Sequence, residues 1–460
     1  MTRPAPHRFA PSILREYDIR GIVGDTLHPA NALAVGRAFA TLVTRTGGTR
    51  IAVGRDGRTH STALQDALVT GLTAAGCDVV RIGVGPTPML YFAEAVLSVD
   101  AAVMVTGSHN PPSHNGFKLV LAHRPFFADR ITDLGALAAA GDWTDAPSPG
   151  QVSDLDIATR YVDRLLDGPN LPPLRIGWDA GNGAAGAIVE QLTARLPGEH
   201  HLLFTAIDGS FPNHHPDPTI DANLADLRAL VLREQLDIGI AFDGDGDRIG
   251  VIDHRGRTLP ADRLLAILAE PLLAAHPGAT VIGDVKMSQT LFDRIAELGG
   301  TPVMGRAGHA PMKDAMRDTG ALLAGEQSGH IFFADDYLGY DDALYAALRL
   351  IRTLAGKRLA DLADALPART ATPELRFASS ENRKFAVVAE VAARLANSGA
   401  TVDTTDGVRV ATPDGWWLLR ASNTQDLLVA RAESYDQSGC DRLVAALNAQ
   451  LALSNAAPAT

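Results

Sequence analysis

In "RIAVGRDGRTHSTALQDALVTGLTAAGCDVVRIGV", residues 50–84, a strand-like run, "RIAVGRDGR", gives way to the helical "STALQDALVTGLTAAG" and then to a second strand, "DVVRIGV". Strand, helix and strand in succession make the βαβ unit of a mostly parallel sheet. The alternation continues outward over the first 150 or so residues. It breaks at "DAPSPGQVSDLD" (145–156), where Pro, Ser, Gly and Asp mark a boundary. The helix "IATRYVDRLLD" (157–167) leads into a second α/β unit opening on "LRIGWDAGNGAAG" (174–186), and a third starts near Arg257. After "LADALPARTATPE" (362–374) the texture changes to a helix, a hairpin turning at Pro413-Asp414-Gly415, and a closing helix. The chain is therefore expected to be α/β: three similar mixed-sheet α/β domains, 1–153, 154–255 and 256–367, and a C-terminal α+β domain, 368–460.

The composition, 46% hydrophobic and 20% charged over 460 residues, is that of a globular protein with large cores. Two cysteines, Cys77 and Cys440, cannot form a disulfide framework, which suits a reducing cytoplasm. The N-terminal residues contain no apolar signal region, and the longest apolar run, "LLAILAEPLLAA" (264–275), is broken by Glu270 and Pro271. A cytoplasmic protein without a membrane span is expected. A formal net charge of −12 argues against nucleic acid as partner, so an anionic ligand would need a local pocket of Arg and Lys.

Three times a short apolar run ends in a glycine-bearing polar loop: "VMVTGSHNPP" (103–112), "IGIAFDGDGDR" (238–248) and "ALLAGEQSGH" (321–330). One such loop per α/β unit would put each at the carboxyl edge of a sheet, where open α/β folds bind ligands. In "DGDGDR" the carboxylates of Asp243, Asp245 and Asp247 sit two apart and repel unless a cation lies among them; all-oxygen ligation favours Mg²⁺, Mn²⁺ or Ca²⁺. A calcium-binding EF-hand loop is excluded, because its sixth and twelfth positions would be Arg248 and His254. Three carboxylates leave a magnesium ion free to take phosphate oxygens.

That bears on Ser108, between Gly107 and His109 and followed by Pro111 and Pro112. By itself it reads as a turn residue. Phosphorylated beside a metal loop, it would supply close to two negative charges to the cation, with His109 and Lys118 close by in sequence to place protons. Glu326 and Ser328, with His330 behind them, suit a sugar's vicinal hydroxyls or a capping turn. Arg420, Ser422, Asn423 and Thr424 in "RASNTQD" fit a phosphate clamp or a polar turn. The G-x-G-x-x-G at Gly181, Gly183 and Gly186 follows a strand, but the next candidate acid, Asp208, lies 27 residues past Gly181, and a nicotinamide site would explain none of the other loops. Those glycines are read as close helix-on-strand packing.

Taken together, "TGSHNPP", "DGDGDR", "GEQSGH" and "RASNT", with "EYDIRG" (16–21), "DVKMSQT" (284–290) and "GRAGHAPMK" (305–313), resemble the α-D-phosphohexomutases, above all the bacterial phosphomannomutase/phosphoglucomutase group. The resemblance spans essentially the whole chain. It implies four domains around a central cleft and reversible interconversion of hexose 1-phosphate and hexose 6-phosphate, of mannose or glucose. The reaction would run through a phosphoserine and a hexose 1,6-bisphosphate that serves as intermediate and activator. It further implies Mg²⁺ held by Asp243, Asp245, Asp247 and phosphorylated Ser108. Lys118 would be the general acid or base, assisted by Arg20, His109 and His309, and Arg248 would lie beside the reacting phosphoryl group. Glu326 and Ser328 would read the sugar, and Arg420, Ser422, Asn423 and Thr424, helped by Tyr17 and Lys286, would grip the remote phosphate. A phosphosugar is the expected partner, and the chain a monomer or weak dimer. "EQSGH", with Gln327, is familiar from phosphoglucosamine mutases, which makes that activity the alternative; a non-catalytic sugar-phosphate binding protein is a further one.

Overall fold

A computed structural model describes residues 5–396, 398–422 and 426–459. The first sheet holds β1 (Ile19–Ile22), β2 (Arg50–Arg55), β3 (Asp78–Val84), β4 (Ala101–Val105), β5 (His114–Leu121), β6 (Arg124–Phe126) and β7 (Val152–Asp154), ordered β1-β5-β4-β2-β3-β7 with β6 on β5. The second holds β8 (Leu174–Asp179), β9 (Gly198–Leu203), β10 (Ile238–Phe242), β11 (Ile249–Asp253) and β12 (Thr258–Leu259), ordered β12-β11-β10-β8-β9. The third holds β13 (Thr280–Asp284), β14 (Thr301–Gly305), β15 (Leu323–Gly325) and β16 (Ile331–Phe333), ordered β14-β13-β15-β16.

These sheets share one plan. In β3-β2-β4-β5, β9-β8-β10-β11 and β14-β13-β15-β16 the first three strands run parallel and the fourth is antiparallel to its neighbour. The third strand of each unit therefore turns back on itself, and the turns are residues 106–113, 243–248 and 326–330. All three ligand-type loops expected from sequence sit at the carboxyl ends of β4, β10 and β15. These strands are buried along their whole length, which is why each reads as a short apolar run without alternation.

A fourth sheet is antiparallel, and the helices Glu381–Ala396 and Gln437–Leu453 pack on it. Its own core contains Val387, Trp417, Leu443 and Leu447. One apolar cluster, by contrast, runs through all three α/β units, joining Met104 and Leu90 of the first to Trp178 and Phe242 of the second and Leu323 and Leu344 of the third. The fourth domain meets the third through Val285, Trp416 and Leu418. There the buried guanidinium of Arg409 lies 3.9 Å over the Trp416 ring and donates to the Val285 carbonyl at 3.1 Å.

The domain edges expected from composition fall slightly short. Thr258 and Leu259 pair with Ile252 and Val251, so the second sheet extends beyond residue 255, and β7 straddles the break placed after 153. Hydrogen bonding carries a sheet past the point where the sequence turns polar. Pro271 lies inside the helix Ala261–Ala275 without ending it, and among the described residues no helix is long and apolar enough to cross a membrane.

One buried carboxylate gives this core a pH signature. Asp342 caps the helix Ala343–Thr353 by accepting the Tyr345 N–H at 2.9 Å and also accepts the hydroxyls of Tyr161 at 2.8 Å and Tyr337 at 2.7 Å. Burial outweighs these bonds and pushes its carboxyl from 3.8 up to about 6. Because the folded value lies above the unfolded one, the stabilisation belongs to the protonated form: full below about 3.8 and lost as pH rises through about 6. Replacing Asp342→Asn should flatten the decline in thermal stability across that window, a span of about 3 kcal/mol, as measured by melting curves of both proteins from pH 4 to 7.

Candidate active site

Ser108 tops the hairpin between β4 and β5, with left-handed backbone (φ 48°) and only 3% exposure. Its N–H donates to Thr106 Oγ1 at 2.8 Å, and its hydroxyl donates to Asp243 Oδ2 at 3.1 Å and lies 3.2 Å from His109 Nδ1. The two loops touch backbone to backbone: a Cβ on Gly244 would stand 2.4 Å from the Ser108 carbonyl oxygen. Glycine is required there by close approach. From β1, Arg20 donates to the Gly107 carbonyl and pairs with Asp18.

Asp243, Asp245 and Asp247 are fully buried, with ligand-type oxygens all within 4.8 Å of one another. From β5, the Lys118 ammonium donates to Asp245 Oδ2 at 2.8 Å and also to Asp247. Burial works against that charge, but Asp245, Asp247 and Asp341 outweigh it and hold Lys118 above its ordinary value. Burial and its two acidic neighbours drive the Asp243 carboxyl well up. Burial also acts on Asp247, yet Lys118 and His330 carry it well below the carboxylate range. Asp245 Oδ1 is buried and accepts no hydrogen bond from the described residues. An orphaned oxygen within an all-oxygen donor set fits a hard divalent cation such as Mg²⁺.

The third loop joins directly. Arg248 and His330 form a β-bridge, and Ile249 N–H donates to the Gly329 carbonyl at 3.0 Å. His330 lies between Glu326 Oε2 at 2.8 Å and Asp247 Oδ1 at 3.2 Å, with Ser328 Oγ 3.1 Å from its Nδ1. Burial lowers this imidazole, but the two carboxylates raise it further, to about 9, so it is cationic at neutral pH. His109 and His309 go the other way. Burial, together with Arg248 and Arg20 around the first and Lys313 and Lys118 around the second, holds both well below the usual range and neutral.

His309 opens the helix His309–Thr319 after Gly308, whose φ of 126° no side chain tolerates well and whose Cα faces the Tyr17 ring. Tyr17 donates to the Ala307 carbonyl at 2.6 Å. A second cationic group gathers where the fourth domain approaches. Arg420 pairs with Asp406 at 2.9 Å, Asp406 also accepts the Ala307 N–H at 3.0 Å, and Lys286 lies 3.6 Å from Glu374. Ser422 is buried just past the strand Gly415–Ala421, which carries Arg420, and Asn423 and Thr424 lie outside the described residues.

Sequence reasoning missed the residues that hold these loops in place. Each α/β unit carries a buried aspartate at or just past the end of its first strand, Asp56, Asp179 and Asp284, whose Oδ1 accepts the N–H two residues on at 2.8–3.0 Å. Two of them reach the ligand-type loop of the same unit: Asp56 Oδ2 accepts Gly107 N–H and Asp284 Oδ2 accepts Gln327 N–H, both at 3.0 Å. The repeated "strand then Asp" in "VGRD", "GWD" and "IGD" is a signal that could have found them. Of the glycines of the apparent nucleotide fingerprint, Gly183 serves the aspartate loop, since a Cβ on it would sit 2.9 Å from the Gly244 carbonyl and Ala184 N–H donates to that oxygen; Gly181 faces Pro216 and Gly186 the Thr205 backbone. The close packing expected of helix on strand is, at Gly183, packing of loop on loop.

A buried serine, three buried aspartates and a buried Glu–His pair, brought together by loops of three α/β domains, define a multidomain α/β enzyme with an acidic site. Four domain descriptions of phosphoglucomutase/phosphomannomutase match in order: α/β/α domain I over residues 11–139, domain II over 159–256, domain III over 260–370 and the C-terminal domain over 374–450. A phosphomannomutase/phosphoglucomutase of Pseudomonas aeruginosa is 42% identical over 444 residues, covering 96% of this chain and 95% of that one. A phosphoglucomutase of Neisseria gonorrhoeae is 43% identical over 435 residues, covering 94% and 95%. A crystal structure of a phosphoglucomutase/phosphomannomutase family protein from Burkholderia thailandensis is 41% identical and superposes with a TM-score of 0.92, covering 97% of this chain and 98% of that one. The chain belongs to the phosphoglucomutase/phosphomannomutase family, a family of isomerases within the α-D-phosphohexomutases.

If the aspartate cluster is the cation site, Mg²⁺ should raise the melting temperature of the protein, and Asp245→Asn, which removes the charge at the orphaned oxygen, should abolish most of that rise. Differential scanning fluorimetry against Mg²⁺ concentration reads it.

Proposed function

We propose that this chain interconverts hexose 1-phosphates and hexose 6-phosphates of mannose and glucose, with Ser108 as phosphoryl carrier. The observation that carries the reading is the contact of Ser108 Oγ with Asp243, 3.1 Å away in a loop of another domain. A hydroxyl that reaches into a buried carboxylate cluster has no reason to be there as a turn residue. With Mg²⁺ held by Asp243, Asp245 and Asp247, the cation would supply charge neutralisation at the reacting phosphoryl group.

The chain's own residues account for the remaining demands of phosphoryl transfer, which are alignment and charge. The sugar hydroxyl forms a new O–P bond as the Ser108 Oγ–P bond breaks. The hydroxyl proton ends on Ser108 Oγ, and neutral His109, with its Nδ1 3.2 Å from that oxygen, can hold it in passing. Lys118, kept as an ammonium, serves as acid and electrostatic partner in this state; as a base it would first have to leave Asp245 and Asp247. Glu326, Ser328 and cationic His330 read sugar hydroxyls. Arg420, Lys286, Ser422 and Tyr17 take the phosphate that is not transferred, and the bisphosphate then turns over to offer its other end.

Gln327 favours attention to a second substrate. Its side-chain Oε1 is buried without a donor among the described residues. A 2-amino group on the sugar could supply one, as in a phosphoglucosamine mutase. Mannose 1-phosphate, glucose 1-phosphate and glucosamine 1-phosphate should be compared by kcat/KM in the presence of Mg²⁺ and glucose 1,6-bisphosphate. Turnover of the first two at similar rates is expected. A dominant preference for the third would replace this assignment, and Ser108→Ala should lose at least about a thousandfold in kcat with any of them.

A further inference from the structure

We infer that Arg58 is the positioning residue for the phosphoryl-carrying serine: its buried guanidinium fixes the loop from which Ser108 acts. The inference rests on the phosphoserine reading above. Arg58 lies in the tight loop after β2, its side chain has no exposed surface, and it meets the serine loop only through backbone carbonyls. Nη2 donates to the carbonyls of Ser108 at 2.7 Å and Asn110 at 2.6 Å, and Nη1 to those of Pro111 at 2.7 Å and His114 at 3.0 Å. One side chain thus holds three carbonyls of the loop and that of His114, the first residue of β5. The Ser108 carbonyl is the buried one of the four, and left unpaired it would cost about 1–3 kcal/mol.

Only a guanidinium can do this. It offers five donors in a rigid plane, where an ammonium offers three on a single atom. The surroundings are built to its shape. Asp56 Oδ2 balances the charge 3.3 Å from Nε and accepts the Gly107 N–H, and Phe211 of the second domain covers the guanidinium at 5.0 Å from its ring centre. Gly107 is glycine because a Cβ there would lie 2.3 Å from Arg58 Nε and 2.4 Å from Cζ. The outcome is visible at Ser108, a non-glycine residue kept at φ 48° with its hydroxyl on Asp243.

The third unit supplies an independent comparison. Lys286 occupies the same place, two residues past the buried aspartate, with the same N–H to Oδ1 bond. Its ammonium points to Glu374 of the fourth domain, 3.6 Å away, in the cationic group near the cleft. In the first unit the corresponding cation is turned inward onto its own loop and has become scaffold.

The test uses Arg58→Lys and Arg58→Ala in the full chain. Melting temperature, kcat and KM for glucose 1-phosphate, and the rate at which glucose 1,6-bisphosphate labels Ser108 in intact-mass spectra, are compared with the unaltered protein. Arg58→Lys is expected to melt as a folded protein, keep KM within about twofold, and lose about a hundredfold in kcat and in labelling rate alike. Millimolar guanidinium chloride should restore at least about tenfold in Arg58→Ala and nothing in His109→Ala. Wild-type labelling rates in Arg58→Lys, or losses in both variants that follow only the folded fraction and resist guanidinium, would overturn the inference while leaving the phosphoserine intact. Failure of the unaltered protein to become labelled at Ser108 would instead remove the phosphoserine reading, and this inference with it.

Discussion

Three carboxylates buried within five residues of chain cannot stand together without positive charge between them, and most of this molecule can be read as the arrangement that supplies it. Lys118 comes from the first domain, Arg248 from the aspartate loop itself and His330 from the third domain. Removing any one would leave a buried charge uncompensated, which costs far more than an exposed ion pair contributes. The cluster therefore ties the first three domains to one another at the site. It also splits the carboxylates, with Asp243 driven up by its neighbours and Asp247 held down by Lys118 and His330.

The threefold plan explains how three domains reach one point. In each unit the third strand turns back at the same sheet edge, and the aspartate near the end of the first strand pins the neighbouring backbone. On this common frame the turns have diverged in chemistry. One presents a hydroxyl, one presents carboxylates, and one presents a carboxylate and an imidazole. The fourth domain has a different architecture and contributes guanidinium and hydroxyl groups from the end of a long antiparallel strand.

Much of this was legible because it is local. Apolar runs ending in glycine-rich polar loops reveal strands and their carboxyl ends, and "DGDGDR" states its chemistry within six residues. What was not legible depends on contacts across the chain. Arg58 looks like an ordinary loop arginine until Ser108 and Asn110, some 50 residues on, close around it. Asp341, which pairs with Lys313 at 2.7 Å beside His309, lies in no motif at all. The strand Thr258–Leu259 is too short and polar to announce itself, and only its partners in β11 make it a strand. The Gly181-to-Gly186 run shows the opposite fault: a strong local pattern whose members answer to separate distant neighbours, Pro216, the Gly244 carbonyl and the Thr205 backbone.

The continuous apolar cluster through the three α/β units has a consequence for how the molecule comes apart. Leu344 and Trp178 share a core with Met104, so none of the first three domains can melt alone without exposing apolar surface of the other two. The fourth, with its own interior around Trp417 and Leu447 and a narrow seam on Val285, is under no such obligation. Heat should therefore divide this chain into two calorimetric units of unequal size rather than four, and the enthalpy measured directly should exceed the one inferred from the shape of a single transition. The thrice-recurring pattern of apolar run and polar loop suggests modules, whereas the interior makes most of them one cooperative body.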